Sequence, residues 1–325
     1  MFKYMDDIKV TISCTTYNHE DYISDALEGF LMQKTNFSYE IFVHDDASTD
    51  RTAEIIKEYE KRNPDKIKGI YQKENQYSRG VAIIFDILLP MAHGKYIALC
   101  EGDDYWNDPY KLQKQMEAME RHPECELCAH GAMVVDAKTK QVVDEVKRSS
   151  ENCIFPPEKV IAGGGGFVAT NSLMIKREQL ERDIDLLREF PLDYFVQIMG
   201  SIRGGMLYLS DIMSSYRWMA KNSWSERMNK DLERCVEHID RCNTMLERID
   251  TRTNRKYKDI IAKVIVSNKI YQLELNGQYK CIVKNYAQVL HKMPCRQGLK
   301  IYIKAYFPWL KTIRDRIRNG HDKQQ

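Results

Sequence analysis

No apolar run in this chain approaches the roughly 20 residues that a membrane-spanning helix needs. The opening stretch, MFKYMDDIKV, carries acidic residues where a secretory leader requires its apolar core. Both absences predict a protein that stays in the cytoplasm. A charge of one sign is also missing. Lys and Arg number 49 against 47 Asp and Glu, a net charge of +2, which leaves no global electrostatic case for nucleic acid as a partner. Cys125 and Cys128 fit a CxxC pair, but no second pair or histidine pattern completes a zinc site. The nine cysteines therefore read as buried or free thiols in a reducing compartment.

What the chain does have is the composition of an ordinary globular protein, 43% hydrophobic and 30% charged over 325 residues. That length suits one large domain, or one domain with a helical appendage. In the first half, short β-branched runs alternate with helical spacing. Strands are predicted at 8–14, 39–44, 67–71 and 95–100, with helices starting near Tyr22 and over 53–62 and 80–92. Alternation of this kind implies parallel βαβ units, an α/β fold whose ligands sit at the carboxyl ends of the strands. A helix is predicted over 111–121, strands over 127–135 and 141–146, a helix over 194–199, a short strand over 206–209 and a polar aromatic loop over 216–224. Gly163–Gly166 cannot pack a core, so it is either a mobile loop or a backbone that approaches a ligand closely. From Glu226 the chain is charged and helical.

Polar residues gather at three strand ends: Thr15-Thr16-Tyr17-Asn18, then Asp45-Asp46-Ala47-Ser48-Thr49-Asp50, then Glu101-Gly102-Asp103-Asp104. Carboxylates crowded at a strand end repel one another, and a hard divalent cation relieves that repulsion. Mg²⁺ commonly uses one or two carboxylates and completes its shell with substrate phosphates. Such an arrangement suits a bound diphosphate whose leaving charge the cation absorbs. Ser48 and Asp50 read as caps of the helix that follows.

The runs TTYN, DDASTD and GKYIALCEGDDYW, in this order and spacing, resemble the inverting family 2 glycosyltransferases of the GT-A fold, in the bacterial cell-surface polysaccharide branch. The match covers residues 8 to about 110, with further matches to about 225. The resemblance implies a GT-A (Rossmann-like), mostly parallel central sheet with flanking helices and a C-terminal helical extension. It implies a GT-A domain over 1–225, with a nucleotide-binding half at 1–110 and an acceptor half at 111–225, followed by a helical region over 226–325. It implies Mn²⁺ or Mg²⁺ and a nucleotide-sugar donor, by default UDP-linked. Thr15, Tyr17 and Asn18 then line the donor, with Tyr17 near the base. Asp45 or Asp46 accepts a hydrogen bond from the base, Glu101 and Asp103 lie at the ribose and metal, and Asp103 and Asp104 hold the metal. Glu101 stands where the family usually has Asp.

An inverting transfer needs a carboxylate to deprotonate the acceptor hydroxyl. Asp193 opens a predicted helix among apolar neighbours; its own position allows either a cap or a base with a raised pKa. In the resembled branch, an Asp, an aromatic helix, a small-residue turn and a YR pair supply that base, here Asp193, Gly204-Gly205 and Tyr216-Arg217. Arg217 is open to two roles, a partner of the diphosphate or a structural salt bridge. The basic, aromatic-rich stretch 296–325 suits an anionic membrane surface, or equally a helix packed on its own domain. A peripheral membrane contact would match a lipid-linked glycan acceptor in capsule, O-antigen or exopolysaccharide synthesis. A nucleotidyltransferase is the first alternative, but TTYNHED lacks the glycines and basic residues of a phosphate loop. A non-catalytic nucleotide-sugar-binding module is the second, and it has no use for Asp193.

Overall fold

The computed structural model describes residues 8–307 except 222, 224, 225, 227, 229 and 230. The chain divides into two compact units, Met1–Lys230 and Asp231–Gln325.

The first unit is built on one sheet. β1 (Ile8–Thr16), β2 (Ser38–Asp45), β3 (Ile67–Tyr71) and β4 (Tyr96–Glu101) run parallel in the order β3-β2-β1-β4. The chain steps one way from β1 to β2 and the other way to β4, so the β1/β4 seam is the switch point where a crevice opens. Thr15 lies opposite Glu101 across that seam. Beyond β4 the sheet becomes mixed. β9 (Met174–Lys176) runs antiparallel between β4 and β6 (Leu127–Asp136), and β6 pairs in parallel with β10 (Met206–Trp218). β7 (Val142–Val146) forms a hairpin with β6, while the short strands β5 (Tyr105–Trp106) and β8 (Cys153–Phe155) pair with β10.

Helices cover this sheet because their apolar residues recur every three or four positions. In α1 (Ile23–Leu31), Ile23, Ala26, Leu27 and Phe30 are all fully buried. They meet Val10, Ile12, Cys14, Tyr96, Ala98 and Cys100 from β1 and β4. Phe30 packs edge-on against Trp106, with ring centroids 4.8 Å apart. Each fully buried large side chain of this kind contributes roughly 1.5–3 kcal/mol. α2 (Thr52–Arg62) starts where Asp50 Oδ1 accepts the Thr52 amide at 2.9 Å and ends before Pro64. α3 is Lys111–Arg121, α4 Pro157–Gly163, α5 Arg177–Arg182, α6 Ile184–Leu187 and α7 Asp193–Ser201.

Two sequence expectations are corrected. The single helix over 80–92 is instead a π-helical turn, Ile84–Leu88, followed by a 3₁₀ turn, Leu89–Met91. Pro90 has no N–H to give and its ring crowds the preceding turn. The short strand 206–209 and the loop from 216 are in fact one thirteen-residue strand, β10. Its ladder to β6 shifts register between Leu209 and Ile212 and again before Ser214, which hides the alternation from the sequence. Trp224, the far end of the expected loop, lies outside the described residues.

The second unit contains α8 (Leu232–Arg252), α9 (Lys258–Leu275), α10 (Tyr279–Leu290) and α11 (Cys295–Tyr306). It has its own small core of Ile270, Ile282, Leu290 and Ile301. Among the described residues no helix is long and apolar enough to cross a membrane. Residues 308–325 of the basic tail lie outside the described residues.

Candidate active site

The ends of β1, β2 and β4 are stitched together by backbone hydrogen bonds. Asp46 N donates to Thr16 O at 3.0 Å, and Gly102 N donates to Thr15 O at 2.9 Å. The Asn18 amide donates to Ser48 Oγ at 2.9 Å, while Asn18 Oδ1 accepts the Thr49 amide at 2.8 Å. Asn18 adopts a left-handed backbone (φ 55°), which asparagine tolerates better than most residues. Gly102 is fixed by space. A Cβ there would stand 2.7 Å from Thr16 Cβ and Oγ1, so only glycine lets the acidic turn lie against β1.

Within the acidic turn the carboxylates have different surroundings. Glu101 is exposed. Asp104 is 1% exposed, and both its oxygens are engaged: Oδ1 accepts the Arg217 amide at 2.8 Å and Oδ2 accepts Asn171 Nδ2 at 2.9 Å. Burial pushes the Asp104 carboxyl well above its ordinary range; the charges of Asp103 and Glu101 add to this, and Arg217 opposes it. Asp103 is 7% exposed, and among the described residues its carboxylate accepts no hydrogen bond. His19 stands beside it, with Nε2 4.0 Å from Oδ2.

Around the end of β2, Asp46 receives the Gln76 and Tyr77 amides at 2.7 and 3.0 Å, which pins the loop after β3. Asp45 Oδ2 accepts the Ser48 amide at 3.2 Å, but Asp45 Oδ1 is buried without a hydrogen-bond partner. Burial raises its carboxyl above the ordinary range, opposed by the two Ser48 donors. Tyr17 follows β1 and is half-buried.

Asp193 is the first residue of α7. Its Oδ2 accepts the Thr170 hydroxyl at 2.6 Å and its Oδ1 the Tyr194 amide at 2.7 Å. Burial raises its carboxyl, and those two donors work against the rise. Beside it runs the glycine loop. A Cβ on Gly165 would lie 3.7 Å from Tyr194 Cβ, whereas Gly164 and Gly166 face open space.

An acidic turn at the switch point of the sheet and a carboxylate that burial raises, Asp193, are thus the candidate reactive groups. Residues 11–178, just over half of the chain, match the model of Glycosyl transferase family 2. The chain belongs to that family. This family member is 36% identical over 224 residues to an uncharacterized protein of Mycobacterium tuberculosis, across 66% of this chain and 60% of that protein. It is also 37% identical over 111 residues to the Escherichia coli UDP-Glc:alpha-D-GlcNAc-diphosphoundecaprenol beta-1,3-glucosyltransferase WfaP, across 34% of this chain and 41% of that one. The chain thus spans less than two thirds of the length of either relative. Residues 1–349 of S. aureus TarS, crystallised with UDP-GlcNAc, share the GT-A fold with a TM-score of 0.62 at 17% identity, the match covering 96% of this chain and 92% of that one.

The glycosyltransferase fold gathers Thr15, Tyr17, Asn18, Asp45, Asp46, Glu101, Asp103 and Asp104 at adjoining strand ends. Arg217 sits differently from an open phosphate partner. It is 6% exposed, its guanidinium binds Asp25 and donates to Asp103 O at 2.8 Å, and it lies 4.5 Å from the Tyr105 ring centroid and 5.2 Å from that of Tyr22. Of its two open roles, the structural ion pair is the one formed here. Arg51, not Asp50, holds the capping position of α2, and Asp50 bonds the Thr52 amide from the position before it, whereas Ser48 serves Asn18. His19 is buried beside Asp103. Thr170 and Asn171 went unread because nothing in their local sequence marks them. All nine cysteines are free thiols.

Proposed function

We propose that the chain is a metal-dependent inverting glycosyltransferase that takes its sugar from a nucleoside-diphosphate sugar, UDP-linked by preference. The observation that carries this reading is the pairing of an unbonded carboxylate, Asp103, with a second carboxylate, Asp193, that burial makes more basic. Asp103 fits a divalent cation because its charge is nearly buried and lacks a hydrogen-bond donor. Among the described residues no three His, Cys, Asp or Glu side chains form a ready cage. The fit is therefore to a cation held by Asp103 and by diphosphate oxygens, with Asp104 supporting the turn from beneath. Such a cation supplies Lewis-acid stabilisation of the leaving diphosphate.

Residues 1–110 hold the donor in this reading, and 111–225 the acceptor. Tyr17 offers its ring to the base. Asp45 or Asp46 accepts a ring N–H of the base, which uracil and guanine possess and cytosine lacks. Bound UDP-GlcNAc in TarS and the UDP-Glc in the name of the E. coli relative support the uridine preference. Asp193 removes the proton from the acceptor hydroxyl. The freed oxygen forms a bond to the anomeric carbon as the bond from that carbon to the diphosphate oxygen breaks. The electron pair leaves with the nucleotide, and the anomeric configuration inverts.

The acceptor is proposed to be a glycan, lipid-linked by analogy with the E. coli relative's name, in cell-surface polysaccharide synthesis. The exposed apolar stripe of α11 would then bring the enzyme to an anionic membrane surface. A screen of UDP-, GDP- and dTDP-sugars for Mn²⁺-dependent release of nucleoside diphosphate tests the transfer. Asp193→Asn is expected to lower turnover at least about 100-fold while nucleotide binding persists. Undiminished turnover in that variant would remove Asp193 as the base.

A further inference from the structure

The turn Thr170–Ser172 touches both halves of the site. Asn171 is fully buried, and each of its polar side-chain groups is engaged. Nδ2 donates to Asp104 Oδ2 at 2.9 Å and to Ser215 O at 3.0 Å, and Oδ1 accepts the Ser214 hydroxyl at 2.6 Å. Its carbonyl accepts Trp106 Nε1 at 2.9 Å. Ser172 is equally fixed, its carbonyl accepting Gln115 Nε2 at 2.8 Å and its hydroxyl donating to Ala169 O at 2.6 Å. Thr170, the remaining residue of the turn, sends its hydroxyl to Asp193 at 2.6 Å. One rigid turn therefore bonds the acidic turn of the donor side through one residue and the acceptor-side carboxylate through the residue before it.

We infer that Thr170 is a positioning residue for the transfer: held by the Asn171 anchor, its hydroxyl sets the orientation and the proton affinity of Asp193 relative to the acidic turn. This rests on Asp193 being the base. A hydroxyl that donates to a carboxylate favours the charged form, so it keeps the base ionised as burial works against it. It also fixes the plane of the carboxylate: Oδ2 is tied to Thr170 and Oδ1 to the Tyr194 amide, leaving each a further lone pair for the acceptor proton. Other charges do not set this balance. On elements packed against α7, Arg182 pairs with Glu126 and Asp183, Arg177 pairs with Glu181, Lys159 lies over the Phe155 ring, and Glu158 and Glu178 are exposed. His130 on β6 has Nδ1 2.8 Å from Gly131 O, and Arg217 on β10 binds Asp25. Burial and the two donors, not these groups, shift the Asp193 carboxyl. Tyr194, the titratable neighbour on α7, spends its hydroxyl on Ile161 O.

The test is a ¹³C-carboxyl NMR titration of the full chain labelled at aspartate, with the Asp193 resonance assigned by its loss in Asp193→Asn. Thr170→Val keeps the shape and removes the donor. It is expected to raise the Asp193 midpoint by about one pH unit and to move the acid limb of turnover upward with it, measured on whichever nucleotide sugar the wild type consumes fastest. Thr170→Ser is expected to restore both. A Thr170→Val chain whose Asp193 titrates as in the wild type overturns the inference, whatever its turnover. Full turnover in Asp193→Asn would instead sink the base assignment, and the titration would still report on the Thr170 bond.

Discussion

Asp103 and Asp104 are neighbours, yet the first carboxylate accepts no hydrogen bond among the described residues and the second has both oxygens bonded. The difference comes from residues distant in sequence. Asn171 and Arg217, 67 and 113 positions away, occupy the oxygens of Asp104. EGDD was legible as an acidic strand end, but the partners that separate its carboxylates were not, because no local spacing encodes a contact of that range. Lys111 shows the same kind of long-range setting. It is fully buried, bonded to Gln115 at 2.8 Å and placed 3.8 Å from the Trp106 ring centroid. Burial pushes its amine down from 10.5 to about 7, while the aromatic face favours the charge. Between those values the unfolded chain keeps a proton that the folded chain has lost, so stability rises with pH across that window. Lys111→Met is expected to be more stable than the wild type by about 2 kcal/mol at pH 6, with the gap closing toward pH 10. Urea midpoints at the two pH values check this, and parallel pH profiles would contradict it.

At the scale of elements, sequence legibility followed the regularity of the backbone. β1 to β4, α1, α2 and α3 were readable because each keeps one period from end to end. β10 was not, since its register shifts at Ser210–Met213 break the alternation, and Pro90 dissolves the helical pattern of 80–92. α11 carries an apolar stripe that its own unit leaves open: Leu299, Ile303 and Tyr306 are 56%, 36% and 56% exposed, and Phe307 after it is 50% exposed. The basic residues Arg296, Lys300 and Lys304 recur every four positions and form a neighbouring stripe. A helix of this kind binds anionic lipid through apolar insertion and charge together. Wild type is expected to sediment with phosphatidylglycerol-containing vesicles, and Leu299→Glu/Ile303→Glu to lose most of that binding. Equal sedimentation of the two would remove this helix as the membrane contact.

For the molecule as a whole, the α/β alternation that organises residues 8–101 also places the chemistry, because parallel strands deliver their polar ends to one rim. That is why the polar strand ends proposed to hold the donor were legible as one rim in the sequence. The proposed acceptor side draws on α7, a 3₁₀ turn and β10, which meet only through folding, and there Asp193 needed the family resemblance to stand out from a helix cap. Everything proposed for the enzyme depends on the crevice at the β1/β4 seam being a metal-dependent nucleotide site. Calorimetric binding of UDP, GDP, ADP and CDP, with and without Mn²⁺, to the wild type and to Asp103→Asn tests this most directly. One nucleotide is expected to bind with Mn²⁺, UDP by preference, with its affinity falling at least about tenfold when the metal or the Asp103 carboxylate is removed. Well-folded wild type that binds none of the four, or binds one equally well without Mn²⁺ and in Asp103→Asn, would contradict the account.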